Sequence, residues 1–159
     1  MQIQELFEAL KKRFGDQVLE LATPASGEPS VTVSAAAVQD VALFCREDSS
    51  LEFDQLMCLS GVDYPPEHLA VVYHMHSSTK HHRLILKAMV PREDPKLPTV
   101  SRVWRTANWH EREAYDLFGI VFTGHANLRR ILLPQDWVGY PLRKDYVFPT
   151  EYRGIKCHD

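Results

Sequence analysis

Ile3, Leu6, Phe7 and Leu10 recur at i, i+3, i+4 and i+7, the spacing of a helix with one apolar face. Glu5 and Glu8 stand early in this stretch and Lys11, Lys12 and Arg13 late, as the helix dipole favours, and Gly15 is a natural stop. VLEL and SVTVS then read as short strands around the turn TPASGEP. AAAVQDVALFCRED reads as a second helix that offers Ala36, Val38, Val41, Ala42 and Cys45 to the core. A helical turn near LEFDQLM leads into an extended CLSGVDY. HLAVVYHMH and HRLILKAMV are the clearest strands, and with only SSTK between them they predict a hairpin. PREDPKLP is a proline-marked loop, and TVSRVWRTANWHEREAYDLFG after it reads as helical. Beyond Gly119 no period persists, and Pro134, Gly139, Pro141 and Pro149 break any long element. Yet LRRILLPQDWVGYPLRKDYVFPTEY is too apolar and aromatic for a solvated linker. The expected fold is α+β, a mixed or antiparallel sheet with helices packed on it. It occupies residues 1–122, with a key helix at 108–118, and an extended irregular partner-binding arm follows over 123–159.

The chain has 159 residues, enough for one domain with a real core. A net charge of −3 argues against a dedicated nucleic-acid binder. The charge is uneven: residues 1–101 hold 9 Lys+Arg against 14 Asp+Glu, and residues 102–159 hold 9 against 7. The C-terminal third could therefore face an acidic partner. No apolar run approaches the roughly 18 residues that span a bilayer. The start MQIQELFEALKKRFG lacks the apolar core of a signal peptide and is too rich in Glu for a transit peptide. A cytoplasmic protein that meets a membrane only through a partner is expected. Cys45, Cys58 and Cys157 lie far apart with no C-x-x-C, which argues against a disulfide framework or an iron–sulfur site in this chain.

The richest stretch is NWHEREAYDLFG, Asn108 to Gly119. Asn108 is a good N-cap with Glu111 in the capping-box position. Arg112 and Asp116 both oppose the helix dipole but can pair at i, i+4. Charges that break a local rule hint at a role outside the helix. Glu111 and Glu113 point in different directions and cannot flank one scissile bond. His110 and Glu113 reverse the Glu-x-x-His order of a di-iron site. The chain contains no H-E-x-x-H, G-x-S-x-G, P-loop or G-x-G-x-x-G. Neither catalytic nor metal-binding residues are expected here. In the hairpin, a turn at SSTK would set His76 opposite His81 with His74 on the same face. That is a possible zinc or nickel site or simply a histidine-rich solvated tip. Cys157-His158 could also catch a metal or fray. Arg129, Arg130, Trp137, Tyr140, Arg143, Lys144, Tyr146, Phe148 and Tyr152 crowd the arm. Arginine and aromatic residues are enriched at interface hot spots, so the arm is expected to lie on a partner subunit; the alternative is that it packs back on its own domain.

At these residues the chain resembles a known family. The run E-R-E-x-Y-D-x-F-G-I, then G-H, L-R-R-I-L, D-W-x-G and P-L-R-K-D, spans Glu111 to Asp145. It is similar to the signature of the C subunit of NADH-quinone oxidoreductase (respiratory complex I), the 30-kDa subunit family. The close match covers Ala107 to Tyr146, with VDYPPEHLAVVYHMHSS and HRLILKAMVPREDPKLPTVSRVW consistent upstream. Ala126, Arg105-Thr106 and Val147 stand where the family usually has proline. The resemblance implies an α+β subunit of the hydrophilic arm, on the cytoplasmic face of the membrane. It would pack on the D subunit, which helps form the quinone site, with the B and I subunits nearby. No cofactor would reside in this chain; FMN, iron–sulfur clusters and quinone would belong to other subunits. The implied role is a non-catalytic scaffold. Glu111, Arg112, Glu113, Tyr115, Asp116 and Gly119 would form the signature helix and its stop. His125, Arg129, Arg130, Asp136, Trp137, Gly139, Pro141, Leu142, Arg143, Lys144 and Asp145 would form the arm, and Arg129, Arg130, Arg143 and Lys144 would make charge-assisted bonds, some inside the chain and some to the quinone-site D subunit. The corresponding subunits of membrane-bound hydrogenases, photosynthetic NDH and deazaflavin-dependent dehydrogenases are also similar, and this chain does not touch the electron donor that would distinguish them.

Overall fold

The computed structural model describes residues 2–157; His158 of the Cys157-His158 pair lies outside them. Helix α1 (Ile3–Phe14) buries Leu6 and Leu10, and the Glu5 carboxylate accepts the Gln2 backbone N–H at 3.0 Å. Strands β1 (Val18–Ala22) and β2 (Ser30–Val33) pair antiparallel, and helix α2 (Val38–Glu47) follows. Strands β3 (Gln55–Tyr64), β4 (His68–His76) and β5 (Arg83–Pro91) form an antiparallel meander. Parallel pairing of β2 with β5 joins these parts into one mixed sheet, in the order β1-β2-β5-β4-β3. The α+β expectation holds.

Strand alternation decides which face is buried. Leu69, Val71, Tyr73 and Met75 of β4 and Leu84, Leu86, Ala88 and Val90 of β5 share one face with Val31 and Val33. They form one core with Leu6 and Leu10 of α1 and Val38, Val41 and Cys45 of α2. Each fully buried Leu, Val or Met contributes about 1.5–3 kcal/mol of transfer free energy. Strands β6 (Lys96–Pro98) and β7 (Val121–Thr123) pair in parallel beside helix α3 (Ala107–Phe118). Helix α3 lies against β3. Gly61 permits this, since a Cβ there would sit 2.6 Å from the Phe118 ring. No described helix is long and apolar enough to cross a membrane.

The helical turn expected near LEFDQLM lies at its start, where the Leu51 and Glu52 N–H groups both donate to the Asp48 carbonyl. Leu51 and Phe53 are both fully buried two residues apart, and β3 begins at Gln55. Between them Glu52 takes a left-handed conformation, φ 46°. Other expectations fail. The segment 99–106 is a series of tight turns rather than helix: Val103 and Trp104 N–H both donate to the Val100 carbonyl. The hairpin connection is longer than SSTK. His76 pairs with Arg83 and His74 with Ile85, so His81 faces neither. His81 instead sits in the turn at φ 55°, and its N–H donates to the Ser77 carbonyl. The tip is pulled down by Asp54, which accepts the Ser78 N–H at 2.8 Å and its hydroxyl, and by His82, which bonds the Leu51 carbonyl at 2.7 Å. The three-imidazole face does not form. Among the described residues no three His, Cys, Asp or Glu side chains converge to hold a metal.

Candidate functional site

Helix α3 begins at Ala107, one residue before the expected start, and Asn108 is not its cap. The preceding turns supply acceptors for the first N–H groups: Ala107 donates to Trp104, Asn108 to Arg105 and Trp109 to Thr106. With those donors satisfied by backbone, Glu111 is released from the capping box and turns inward. It is fully buried and accepts the Thr99 hydroxyl and the Val100 N–H, the latter at 2.7 Å. Burial pushes its carboxyl up to about 7, against the pull of those two bonds. Tyr73, also buried, has a hydroxyl without a partner; burial, then the nearby Glu111, pushes its phenol well above the usual range. His125 comes in from the arm. Its Nδ1 accepts the Asn127 N–H at 3.0 Å, so Nε2 carries the proton and donates to the Asn108 carbonyl at 3.2 Å, 3.9 Å from Glu111.

Arg112 and Asp116 do not pair with each other. Each fastens the arm. Arg112 donates from Nε and one Nη to the carbonyls of Arg129 and Arg130, both at 3.2 Å, and lies over the exposed Trp109 ring. Asp116 is fully buried and accepts three consecutive backbone N–H groups, Ile131, Leu132 and Leu133, at 2.7–3.0 Å, plus the Arg130 guanidinium at 2.7 Å. Burial would raise its pKa, but these donors outweigh it and hold the carboxyl below the usual range. Arg130 spends its remaining donors on the carbonyls of Asp116, Trp137 and Gly139. The two charges that oppose the dipole are thus explained by tertiary bonding. Arg129 itself contributes only its carbonyl to the fastening, and its side chain is exposed.

Past Gly139 the arm returns to the end of α3. Leu142 N–H donates to the Leu117 carbonyl at 3.1 Å, and Arg143 Nε to the Phe118 carbonyl at 2.7 Å, with its guanidinium over the Tyr140 ring. Pro141 is half-buried. Gly119 ends α3 in the left-handed region, φ 73°, and a Cβ there would stand 2.5 Å from the Tyr140 ring. Gly119→Ala combines left-handed strain with overpacking, and is expected to destabilise the chain by about 1–3 kcal/mol, measurable as a lower urea midpoint. An unchanged midpoint would show that Tyr140 yields without cost.

A second knot involves residues that sequence reasoning passed over. Asp63 at the end of β3 is nearly buried, pairs with Arg92, and accepts the Lys144 backbone N–H at 2.7 Å; Arg92 also reaches Asp145 at 2.9 Å. Burial raises the Asp63 pKa and the Arg92 and Lys144 bonds lower it further, so the net shift is down. Lys144 acts here through its main chain, not its ammonium. A third knot closes the far end: Asp136 accepts the Tyr152 hydroxyl at 2.8 Å and two Arg153 N–H groups, while Trp137 packs on the Tyr152 ring. The final described residues form a small hairpin of β8 (Glu151–Tyr152) and β9 (Ile155–Lys156). Asp63, Arg92 and Thr99 stand in the upstream runs quoted for the resemblance, but no role could be read for them because their partners lie 12 or more residues away.

The fastening groups Glu111, Arg112, Asp116, Arg130 and Asp63 thus point inward while large apolar groups of the arm point out. Leu132, Val138, Leu142, Val147, Phe148 and Ile155 are exposed along the arm, Val138 at 84% and Val147 at 85%, and Trp109 is exposed on α3. Glu113 is exposed beside Leu142, and Tyr115 is half-buried on the helix. The buried carboxylates Glu111, Asp116 and Asp63 are each occupied by donors of their own chain, so their chemistry is to hold backbone in place.

Residues 31–152 match the family model described as "Respiratory-chain NADH dehydrogenase, 30 Kd subunit". The chain is 48% identical over 151 residues to the C subunit of NADH-quinone oxidoreductase from Chloroherpeton thalassium, covering 94% of this chain and 63% of that protein. It is 43% identical to the C subunit from Chlorobium phaeobacteroides, covering 94% and 92%. Among solved structures, it resembles the trypsin-resistant fragment of Nqo5 at 31% identity and a TM-score of 0.64, over 80% of this chain and 100% of that one. A chain of the archaeal membrane-bound sulfane sulfur reductase shares the fold, with a TM-score of 0.69 at 20% identity over 92% and 86%.

Proposed function

The chain belongs to the family of the respiratory-chain NADH dehydrogenase 30 Kd subunit, and we propose that it serves as a docking subunit of an NADH-quinone oxidoreductase complex. In this reading it holds the quinone-site D subunit in place, with the B and I subunits nearby, on the cytoplasmic face of the membrane. Electrons pass from NADH to quinone through the FMN and clusters of other subunits, and this chain carries no redox group. The observation that supports this most is the polarity of the arm. Arg130, Arg143 and Asp136 spend their charges on bonds inside the chain, and the arm's large apolar side chains stand in solvent. A rigid surface with exposed apolar anchors loses little conformational entropy on binding, and exposed patches of this kind mark interaction sites.

The test is affinity purification of a tagged chain from gently solubilised membranes, with and without Arg143→Ala. The native chain is expected to retain the D, B and I subunits and an NADH-oxidising module. The variant loses a charged hydrogen bond of about 1.5–3 kcal/mol that shapes the 140–146 turn, so less of the quinone-site subunit should be recovered with it. Full recovery and full quinone reduction by the variant would remove Arg143 from the docking role. Recovery of the native chain with no other subunit would refute the role itself.

A further inference from the structure

A cleft of about 640 Å³ opens between α2, the start of β3 and the turns before α3. Arg46, Arg102 and Arg105 line it, all exposed. None of the three guanidiniums takes part in a hydrogen bond or ion pair among the described residues. The one lining carboxylate, Asp54, is engaged by the Ser78 N–H and hydroxyl. We infer that this cleft is a second docking surface, one that takes an extended, carboxylate-rich segment of another subunit of the complex.

Three observations select that occupant. Like charges gathered without a counter-charge repel, and the cost is recovered when an anionic partner arrives. Guanidiniums bind carboxylates with two parallel hydrogen bonds, and three of them along one cleft suit several carboxylates in succession rather than one small anion. The cleft also runs along β3, the edge strand of the sheet. Its Gln55, Leu56 and Met57 line the floor, and Met57 is 56% exposed at an irregularity in the β3–β4 ladder. A sheet edge is the usual place for an extended segment to lie. A lipid surface fits less well, because Leu56, Val103 and Trp104 are buried and only Met57 protrudes. Single-stranded nucleic acid fits less well too, since Trp104, the aromatic residue that lines the cleft, is too buried to stack on a base.

The inference rests on the subunit reading above. Its test uses the assembled complex carrying Arg102→Lys and Arg105→Lys, which keep the charge and supply amines. A carbodiimide joins an amine to a carboxylate in contact with it. The expected result is amide cross-links from position 102 or 105 to Asp or Glu of another subunit. In parallel, the Arg46→Glu, Arg102→Glu, Arg105→Glu triple variant should leave the complex at lower salt than the native chain. If the complex forms but cross-links reach only Asp54, or are absent while both amines still react with a small acylating reagent, the cleft is open to solvent and the inference is overturned. If the native chain assembles with nothing, the subunit reading fails first and the inference falls with it.

Discussion

Asp116→Ala is expected to unfasten the arm from α3. The carboxylate is fully buried and serves four donors at once, the Arg130 guanidinium and the N–H groups of Ile131, Leu132 and Leu133. Removal leaves a nearly buried cation and three backbone donors without partners. Breaking a buried charge pair in this way costs about 3–5 kcal/mol. The loss should be local, because the core is built from the sheet and its helices and, among the arm residues, only Leu128 packs against it. The amides of residues 131–133 should exchange with solvent far faster in the variant, and limited proteolysis should cut between 126 and 140 while sparing the sheet. Unaltered protection of those three amides would mean that Arg112, bonded to the carbonyls of Arg129 and Arg130, suffices to hold the arm. Asp116→Asn keeps the shape but turns one acceptor into a donor facing donors, so it should fall between the native chain and Ala.

Glu111 should make the chain less stable as pH rises through neutrality. Its carboxyl titrates at about 7 when folded, against 4.5 as the ordinary value. Below 4.5 both the folded and unfolded states hold the proton, and the group contributes no pH dependence. Between 4.5 and 7 the folded state keeps a proton that the unfolded state has released, so stability falls with rising pH; above 7 the fall is complete. At about 1.4 kcal/mol per pH unit the whole change is roughly 3 kcal/mol. Glu111→Gln cannot ionise, and its amide can still accept the Val100 N–H and donate to the Thr99 hydroxyl. The difference in urea stability between native chain and variant should therefore shift toward the variant by about that amount from roughly pH 5 to pH 8. A difference independent of pH would show that Glu111 stays ionised in the folded chain, held so by its two donors.

The elements that sequence periodicity predicted are those whose residues see one uniform environment. Leu6 and Leu10 mark α1, and the alternation of Leu69, Val71, Tyr73 and Met75 marks β4, because each element has a single apolar side and the core accepts it. The failures share a cause. Asn108 has the chemistry of an N-cap, but backbone carbonyls of the preceding turns satisfied the donors first. Arg112 and Asp116 have the spacing of a pair, but the arm offered each a more complete set of partners than the other could. Only a connection as short as SSTK would set His74, His76 and His81 on one face. Asp54 and Leu51, more than 20 residues upstream, hold the tip and set the longer connection.

By itself the sequence determined the α+β class, the presence of the two N-terminal helices and the main sheet strands, and the family, through a run of residues from Glu111 to Asp145. It could not say what those residues do. That Asp116 is a backbone anchor, that Lys144 acts through its N–H, and that Arg46 and Arg102 face one cleft was decided only in three dimensions. The physical reason lies in range. Helical and strand patterns follow from steric and burial preferences repeated every few residues. A buried charge instead takes whichever donors the fold brings within about 3 Å, and for Asp63 and Lys144 those groups are 81 residues apart.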